Sequence, residues 1–267
     1  MNKGVVFFAH NNEKINYGLL AYWSSKRVRQ HLKVGSSLVT DQLTCDAMDQ
    51  IDASWKDQFD QVIIKESVAT QTKRYGTPDN QLTFHNLDRL DVWHLTPYDE
   101  TIVLDVDLVI QTDALSKLWE SSEDLIVCDT STDLYGNTDN EFNWVSDRSI
   151  KFYWATVFYF KKTEFTKLFF KQCEWIKHNY NWIRYIYELP SGPVRNDFIW
   201  SIALHSLNYS ATSIPFNILH SNFEDRIIDM NSESIKFLTD KGLCKIKSDV
   251  HVFNKFDLLD QIHKGQL

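Results

Sequence analysis

Three observations predict an α/β domain built on a mainly parallel central sheet with helices on both faces. Short apolar runs alternate with helical segments over the first 130 residues, those runs are rich in β-branched residues, and the most distinctive polar motif sits where one run ends. Val5–Ala9 runs into the polar turn His10-Asn11-Asn12 and reads as a first buried strand. A helix follows from Tyr17 to about His31, carrying Leu20, Ala21, Trp23 and Val28 among polar neighbours. Ser37–Thr40 is a second strand ending at Asp41, and Val62–Ile64 a third, followed by a loop around Tyr75-Gly76-Thr77-Pro78. A short helix near Leu87–Leu95, a strand at Thr101–Leu104, a helix over Ala114–Glu120 and a strand at Leu125–Cys128 complete this half.

The second half is less regular. Residues 129–148 are rich in Gly, Asn, Ser and Thr, which predicts an exposed loop, and Phe152–Phe160 alternates enough to be a strand. Thr163 opens a helix whose Phe165, Leu168, Phe169, Cys173 and Ile176 fall at helical spacing, the pattern of a core-facing stripe. Tyr180–Tyr187 is strongly aromatic and ends before Pro190-Ser191-Gly192-Pro193, and Asn196–Leu207 reads as another buried helix. With 267 residues and no linker or internal repeat, a single domain with elaborations is the expectation.

Composition narrows the function classes. The net charge of −8 and pI near 5.6 give no global attraction to nucleic acid or to an anionic membrane. Aromatic residues reach 14%, and their faces suit sugar rings and nucleobases, although most must fill the core. The N-terminal apolar stretch is too short for a signal peptide, no run approaches the roughly 20 residues of a membrane span, and no basic tail or membrane-binding helix stands out. Cys45, Cys128, Cys173 and Cys244 lack paired spacing, so free thiols in a reducing cytoplasm are expected.

Asp105 and Asp107 form the chain's only Asp-x-Asp, directly after Thr101–Leu104. In extended chain two such carboxylates point the same way and repel, a conflict that a divalent cation removes. Mg²⁺ and Mn²⁺ take hard oxygen ligands from one or two aspartates and leave other positions to water and phosphate. The plainer alternative is two solvated aspartates in a turn. In open parallel sheets, ligands bind beyond the carboxyl ends of the strands, which is where this pair falls.

Residues 86–110, NLDRLDVWHLTPYDETIVLDVDLVI, carry Arg89, Leu90, Trp93, Leu95, Thr96, Tyr98, Asp105 and Asp107 in an order that resembles GT-A fold glycosyltransferases. The likeness is to the retaining, glycogenin-like and galactosyltransferase-like group of family 8. Val5–Ala9 followed by Tyr17, and the strand ending Thr40-Asp41, are similar and collinear. The triplet Trp154-Ala155-Thr156 departs from the family's small, polar Asn-Ser/Ala-Gly, which bears on sugar and acceptor specificity.

The resemblance implies a metal-dependent hexosyltransferase using a nucleotide-sugar, UDP-glucose or UDP-galactose, with Mn²⁺ or Mg²⁺ and with retention. It implies a donor half over residues 1–130 and an acceptor half over residues 131–267. Asp105 and Asp107, with Val106 between them, fall at the metal and diphosphate. His251 matches the third metal ligand, and His220 competes for that role. Lys255 matches the lysine of the family's His-Phe-x-Gly-x-x-Lys pattern and is expected to bind the donor, although the Gly and the Lys-Pro-Trp ending are missing. Asp197 and Asn196 fall beside the reacting sugar, with Asp197 nearest the anomeric carbon.

Each residue also has a plainer reading. Arg89 offers bidentate donors to a diphosphate or sugar hydroxyl, or is a surface arginine paired with Asp88 or Asp91. Tyr17 stacks on the base or is half-buried, Asp41 binds base or ribose or caps the next helix, and Asn196 or Asp197 caps its own. His10 is placed to touch the nucleotide, whereas His85, His94, His178 and His205 read as packing or surface residues. The acceptor (a glycan, a protein or a modified base) is open, and the aromatic surplus over Trp175–Tyr187 suits a homo-oligomer contact. Two alternatives stand beside the enzyme: a nucleotide or carbohydrate binder of the same fold, favoured by Trp154, and a Mg²⁺-dependent phosphotransfer enzyme, disfavoured because the motif follows a later strand.

Overall fold

The structure is a computed structural model that describes residues 2–66, 71–75, 77–84, 87–138, 143–146 and 150–265. Its centre is a seven-stranded sheet of β1 (Lys3–Phe8), β2 (Gly35–Thr40), β3 (Gln61–Ile64), β4 (Glu100–Leu104), β5 (Leu125–Cys128), β6 (Trp154–Lys161) and β7 (Thr212–Ser213). The spatial order is β7-β5-β6-β4-β1-β2-β3. β4, β1, β2 and β3 pair in parallel, as do β5 and β7, while β6 runs antiparallel to both neighbours. The reversal has a simple origin. β6 follows β5 in the sequence and pairs antiparallel with it, so it enters the sheet from the edge at which β5 ends.

Among the described residues seven α-helices accompany the sheet: α1 (Tyr17–His31), α2 (Gln42–Asp49), α3 (Val92–Leu95), α4 (Glu164–His178), α5 (Tyr180–Ile186), α6 (Asn196–Ser206) and α7 (Lys255–Lys264). Strand side chains alternate between two cores, as period-two geometry requires. Val5, Phe7, Ile102, Leu104, Val157 and Tyr159 join one core, where Leu19 and Leu20 of α1 and Leu258 of α7 also lie. Val6, Phe8, Val103, Phe158 and Phe160 join the other, with Phe169 and Cys173 of α4 and Trp200 of α6. Burial on both faces is why these strands read as continuous apolar runs. Among the described residues no helix is long and apolar enough to cross a membrane.

Several expectations need correction. The loop expected around residue 76 is flanked by paired strands, Gln71–Tyr75 against Thr77–Phe84; Gly76 lies outside the described residues. The helix near Leu87–Leu95 is a 3-10 turn (Leu87–Asp91) followed by α3, and Ala114–Glu120 is 3-10 throughout. Within the predicted exposed loop, Ser131–Asp133 pairs with Ile218–His220, and Thr132 and Leu134 are buried. Leu168 is not in the core stripe of α4 but 52% exposed; Phe170 is buried instead. The later region holds a three-stranded meander, Arg226–Met230, Ile235–Thr239 and Gly242–Ile246, that periodicity did not reveal.

Gly4 shows how tightly the second core closes over β1. A Cβ there would lie 2.3 Å from the Tyr98 ring, whose buried hydroxyl donates to Asp60 Oδ2 (2.8 Å) and lies 2.9 Å from Ser37 Oγ. Tyr98 cannot swing aside without losing both. Gly4→Val is expected to cost about 1–3 kcal/mol through overpacking, measured as a lower urea midpoint. An unchanged midpoint would contradict this packing.

Candidate active site

β4 delivers Asp105 at the carboxyl edge of the sheet, and the Asp105 amide donates to the Thr156 carbonyl of β6 (2.9 Å). The chain does not continue extended. It turns, with Leu108 N donating back to Asp105 O (3.1 Å), so the acids straddle a turn rather than sharing one face of a strand. Ser24 Oγ of α1 holds the Val106 carbonyl (2.9 Å) and fixes the turn from below.

His251 arrives by strand pairing. Leu108–Val109 pairs antiparallel with Val250–His251, with Leu108 opposite His251, and Val252 N donates to Asp107 O (2.9 Å). Its Nε2 consequently lies 3.1 Å from Asp107 Oδ2 and 3.9 Å from Asp105 Oδ2. One ligand atom from each of Asp105, Asp107 and His251 lies within 4.8 Å of the others, the only such group of acids, histidines or cysteines among the described residues. Two carboxylates and an imidazole suit Mn²⁺ or Mg²⁺ and leave room for water or phosphate oxygens. His220 sits on the adjacent strand in register with His251, but its Nδ1 is 2.8 Å from Ser131 Oγ and its ring stacks on Phe253.

Two cations flank the acids. Lys255, the first residue of α7, places Nζ 2.5 Å from Asp107 Oδ2. Arg89 is not the surface residue of its plainer reading: it is buried, forms an ion pair with Asp105 and donates to the Ala155 carbonyl (3.1 Å). Asp91 pairs with Lys65 instead. Burial lowers Arg89 to about 10, opposed by Asp107, Asp197 and Tyr17, so it stays charged at neutral pH. For Asp107, burial alone would raise the pKa, but Lys255 and His251 together hold the carboxyl well below the usual range.

The Ala155 peptide links this cluster to Asp197. Its carbonyl accepts from Arg89, and its amide donates to Asp197 Oδ1 (2.6 Å). Arg195 grips Asp197 Oδ2 through Nε (3.0 Å) and Nη2 (2.8 Å). The N-cap of α6 is Arg195, so neither Asn196 nor Asp197 is the cap; Asn196 is fully buried in the first turn. Ala155 and Thr156 therefore contribute backbone groups here, at the irregular start of β6, while the Trp154 ring packs against Phe152.

His10 and Asp41 follow β1 and β2 at the same edge. The His10 ring is buried, with Nε2 3.3 Å from Lys65 O, and Asp41 caps α2 by accepting from Thr44 N (2.8 Å). Tyr17 opens α1 half-buried, near enough to act electrostatically on Arg89.

Asp249, which sequence reasoning passed over, joins the two ligand-bearing segments. Its buried Oδ1 accepts from Gln111 N (2.8 Å), Thr112 N (2.9 Å) and Thr112 Oγ1 (3.1 Å). Its only signal was an acid two residues before His251 in SDVH.

No protein-family model and no curated protein sequence matches the chain. Among solved structures it is similar to the glycosyltransferase GlyE of Streptococcus pneumoniae TIGR4, at 14% identity and a TM-score of 0.47 over 80% of this chain and 45% of that one. It is also similar to an active-site mutant of LgtC, at 14% identity and a TM-score of 0.49, covering 78% of this chain and 71% of that one. Mouse xyloside xylosyltransferase 1 shares 11% identity at a TM-score of 0.48, over 79% and 85% of the two chains. This chain thus spans less than half the length of GlyE. The reaction has to be read from the side chains.

Removing Asp249 strands two backbone amides. Asp249→Ala is expected to lower stability by about 2 kcal/mol, while Asp249→Asn, which keeps an acceptor, loses less. Equal urea midpoints for Asp249→Ala and the parent would contradict this bracing role.

Proposed function

We propose that this chain is a divalent-cation-dependent glycosyltransferase that moves a hexose from UDP-glucose or UDP-galactose to an acceptor. The observation that carries the reading is the convergence of Asp105, Asp107 and His251, from segments far apart in the chain, beside two fixed cations. Isolated solvated aspartates need neither an imidazole brought in by strand pairing nor a buried guanidinium.

Asp105, Asp107 and His251 would hold Mn²⁺ or Mg²⁺, which supplies Lewis-acid stabilisation of charge on a departing diphosphate. Arg89 and Lys255 present positive charge to the same group, and Arg89 has fork geometry suited to phosphate oxygens. His10, Tyr17 and Asp41 lie on the donor side, where the nucleoside would sit, with residues 1–130 forming the donor half and 131–267 the acceptor half of one domain. Asp197, held by Arg195 and the Ala155 amide, is assigned to the sugar side together with its neighbour Asn196. Transfer with retention follows from the resemblance of residues 86–110 to retaining enzymes.

One observation favours a second reading, a nucleotide-sugar binder with little turnover. Both oxygens of Asp197 are already engaged, one by an amide and one by Arg195. Tight UDP binding without turnover of any sugar donor would select it.

With UDP-glucose or UDP-galactose and Mn²⁺, slow donor hydrolysis is expected even without acceptor. Asp107→Ala should reduce it at least about 100-fold. Full activity in that variant would remove the acid pair from the site. Separately, Lys255→Ala is expected to weaken UDP binding by about tenfold or more through loss of a charged hydrogen bond, measured by calorimetry in the presence of Mn²⁺. Unchanged affinity would place the diphosphate elsewhere.

A further inference from the structure

The aromatic segment at the junction of α4 and α5 is not used by the proposed reaction. Trp175, Trp182 and Tyr185 are 46%, 57% and 83% exposed, and Leu168 and Ile186 are exposed beside them. Their spacing puts them on one face. Leu168 and Trp175 lie two turns apart on α4, while Trp182, Tyr185 and Ile186 occupy i, i+3 and i+4 on α5. The Trp175 and Trp182 rings meet edge to face at 6.2 Å, joining both helices into one surface. A cavity of about 770 Å³ opens beside it, lined by Asn181, Arg184, Tyr185, Ile186, Glu188 and Leu189.

The charge on this surface opposes that of the whole molecule. Over residues 163–188, Lys167, Lys171, Lys177 and Arg184 stand against Glu164, Glu174 and Glu188, in a chain whose net charge is −8. Lys171 and His178 stand between the apolar residues, completing the series Leu168, Lys171, Trp175, His178, Trp182, Tyr185 at three- and four-residue steps with no acid among them. A second copy packed symmetrically on this seam would bring Lys171 toward its equivalent. An anionic surface meets no such conflict. Tryptophan and tyrosine with interspersed basic residues are the set that settles at the headgroup level of a bilayer, where apolar burial and attraction to anionic lipid add together.

We propose that the face formed by α4 and α5 docks on an anionic lipid membrane. The inference does not depend on the glycosyl-transfer reading. It would place the chain beside lipid-borne acceptors.

Vesicle co-sedimentation tests it, using pure phosphatidylcholine vesicles against vesicles with about one third phosphatidylglycerol. The full chain is expected to bind the anionic vesicles and not the neutral ones, and to be released by raised salt. Trp182→Ala with Tyr185→Ala should weaken binding about tenfold or more, and so should Lys171→Glu. Donor hydrolysis and the urea midpoint of these variants should match the parent, separating loss of docking from loss of fold and from failure of the catalytic reading. No binding to anionic vesicles, or binding that neither variant changes, would overturn the proposal. So would a dimer, seen by light scattering, that the Trp182→Ala, Tyr185→Ala variant dissolves while lipid binding is absent.

Discussion

The candidate site depends on the pairing of Leu108–Val109 with Val250–His251. Two residues on each side suffice to bring an imidazole from the C-terminal region against acids that leave the central sheet at β4. So short a ladder is weak alone, and its surroundings explain why it holds. Val252 N bonds to Asp107 O, Asp249 receives the Gln111 and Thr112 amides, and Val109 and Val250 are buried in the first core. Release of this contact would move His251 away from Asp107 and carry Lys255, at the head of α7, with it.

Charge balance is the second constraint. Asp107 is nearly inaccessible and Asp105 partly so, which makes two uncompensated carboxylates costly. Arg89, Lys255 and His251 supply that compensation within the chain. Arg89 has the further effect of tying Asp105 to the Ala155 peptide, and through it to Asp197. The proposed donor and sugar sides thereby meet at one strand start, on a segment whose direction was set by the antiparallel entry of β6.

Much of the sheet was legible because strands buried on both faces leave continuous apolar runs, as at Val5–Ala9, Thr101–Leu104 and Leu125–Cys128. The bounds of α1 were readable from Tyr17 to His31 from apolar residues among polar ones, and the structure adds a capping Asn16. The two-residue strands at 108–109 and 250–251 and the meander after residue 225 were not, because their pairing is decided by distant partners rather than by local pattern. Within the site, Asp105, Asp107 and His251 were nameable, yet the stated reason was partly wrong. Period-two alternation does not align the acids; a turn does. Arg89 was ambiguous because helix position says nothing of what a long side chain reaches. Leu168 failed differently, since helical spacing marks a stripe without saying whether protein or something else covers it.

Electron spin-echo spectroscopy of the chain titrated with Mn²⁺ tests the central claim most directly. If Asp105, Asp107 and His251 hold the ion together, one Mn²⁺ binds per chain and its echo carries modulation from a directly coordinated imidazole nitrogen. That modulation vanishes in His251→Ala and survives in His220→Ala. Nitrogen modulation that persists without His251, or Mn²⁺ bound with no nitrogen coupling at all, would contradict the account.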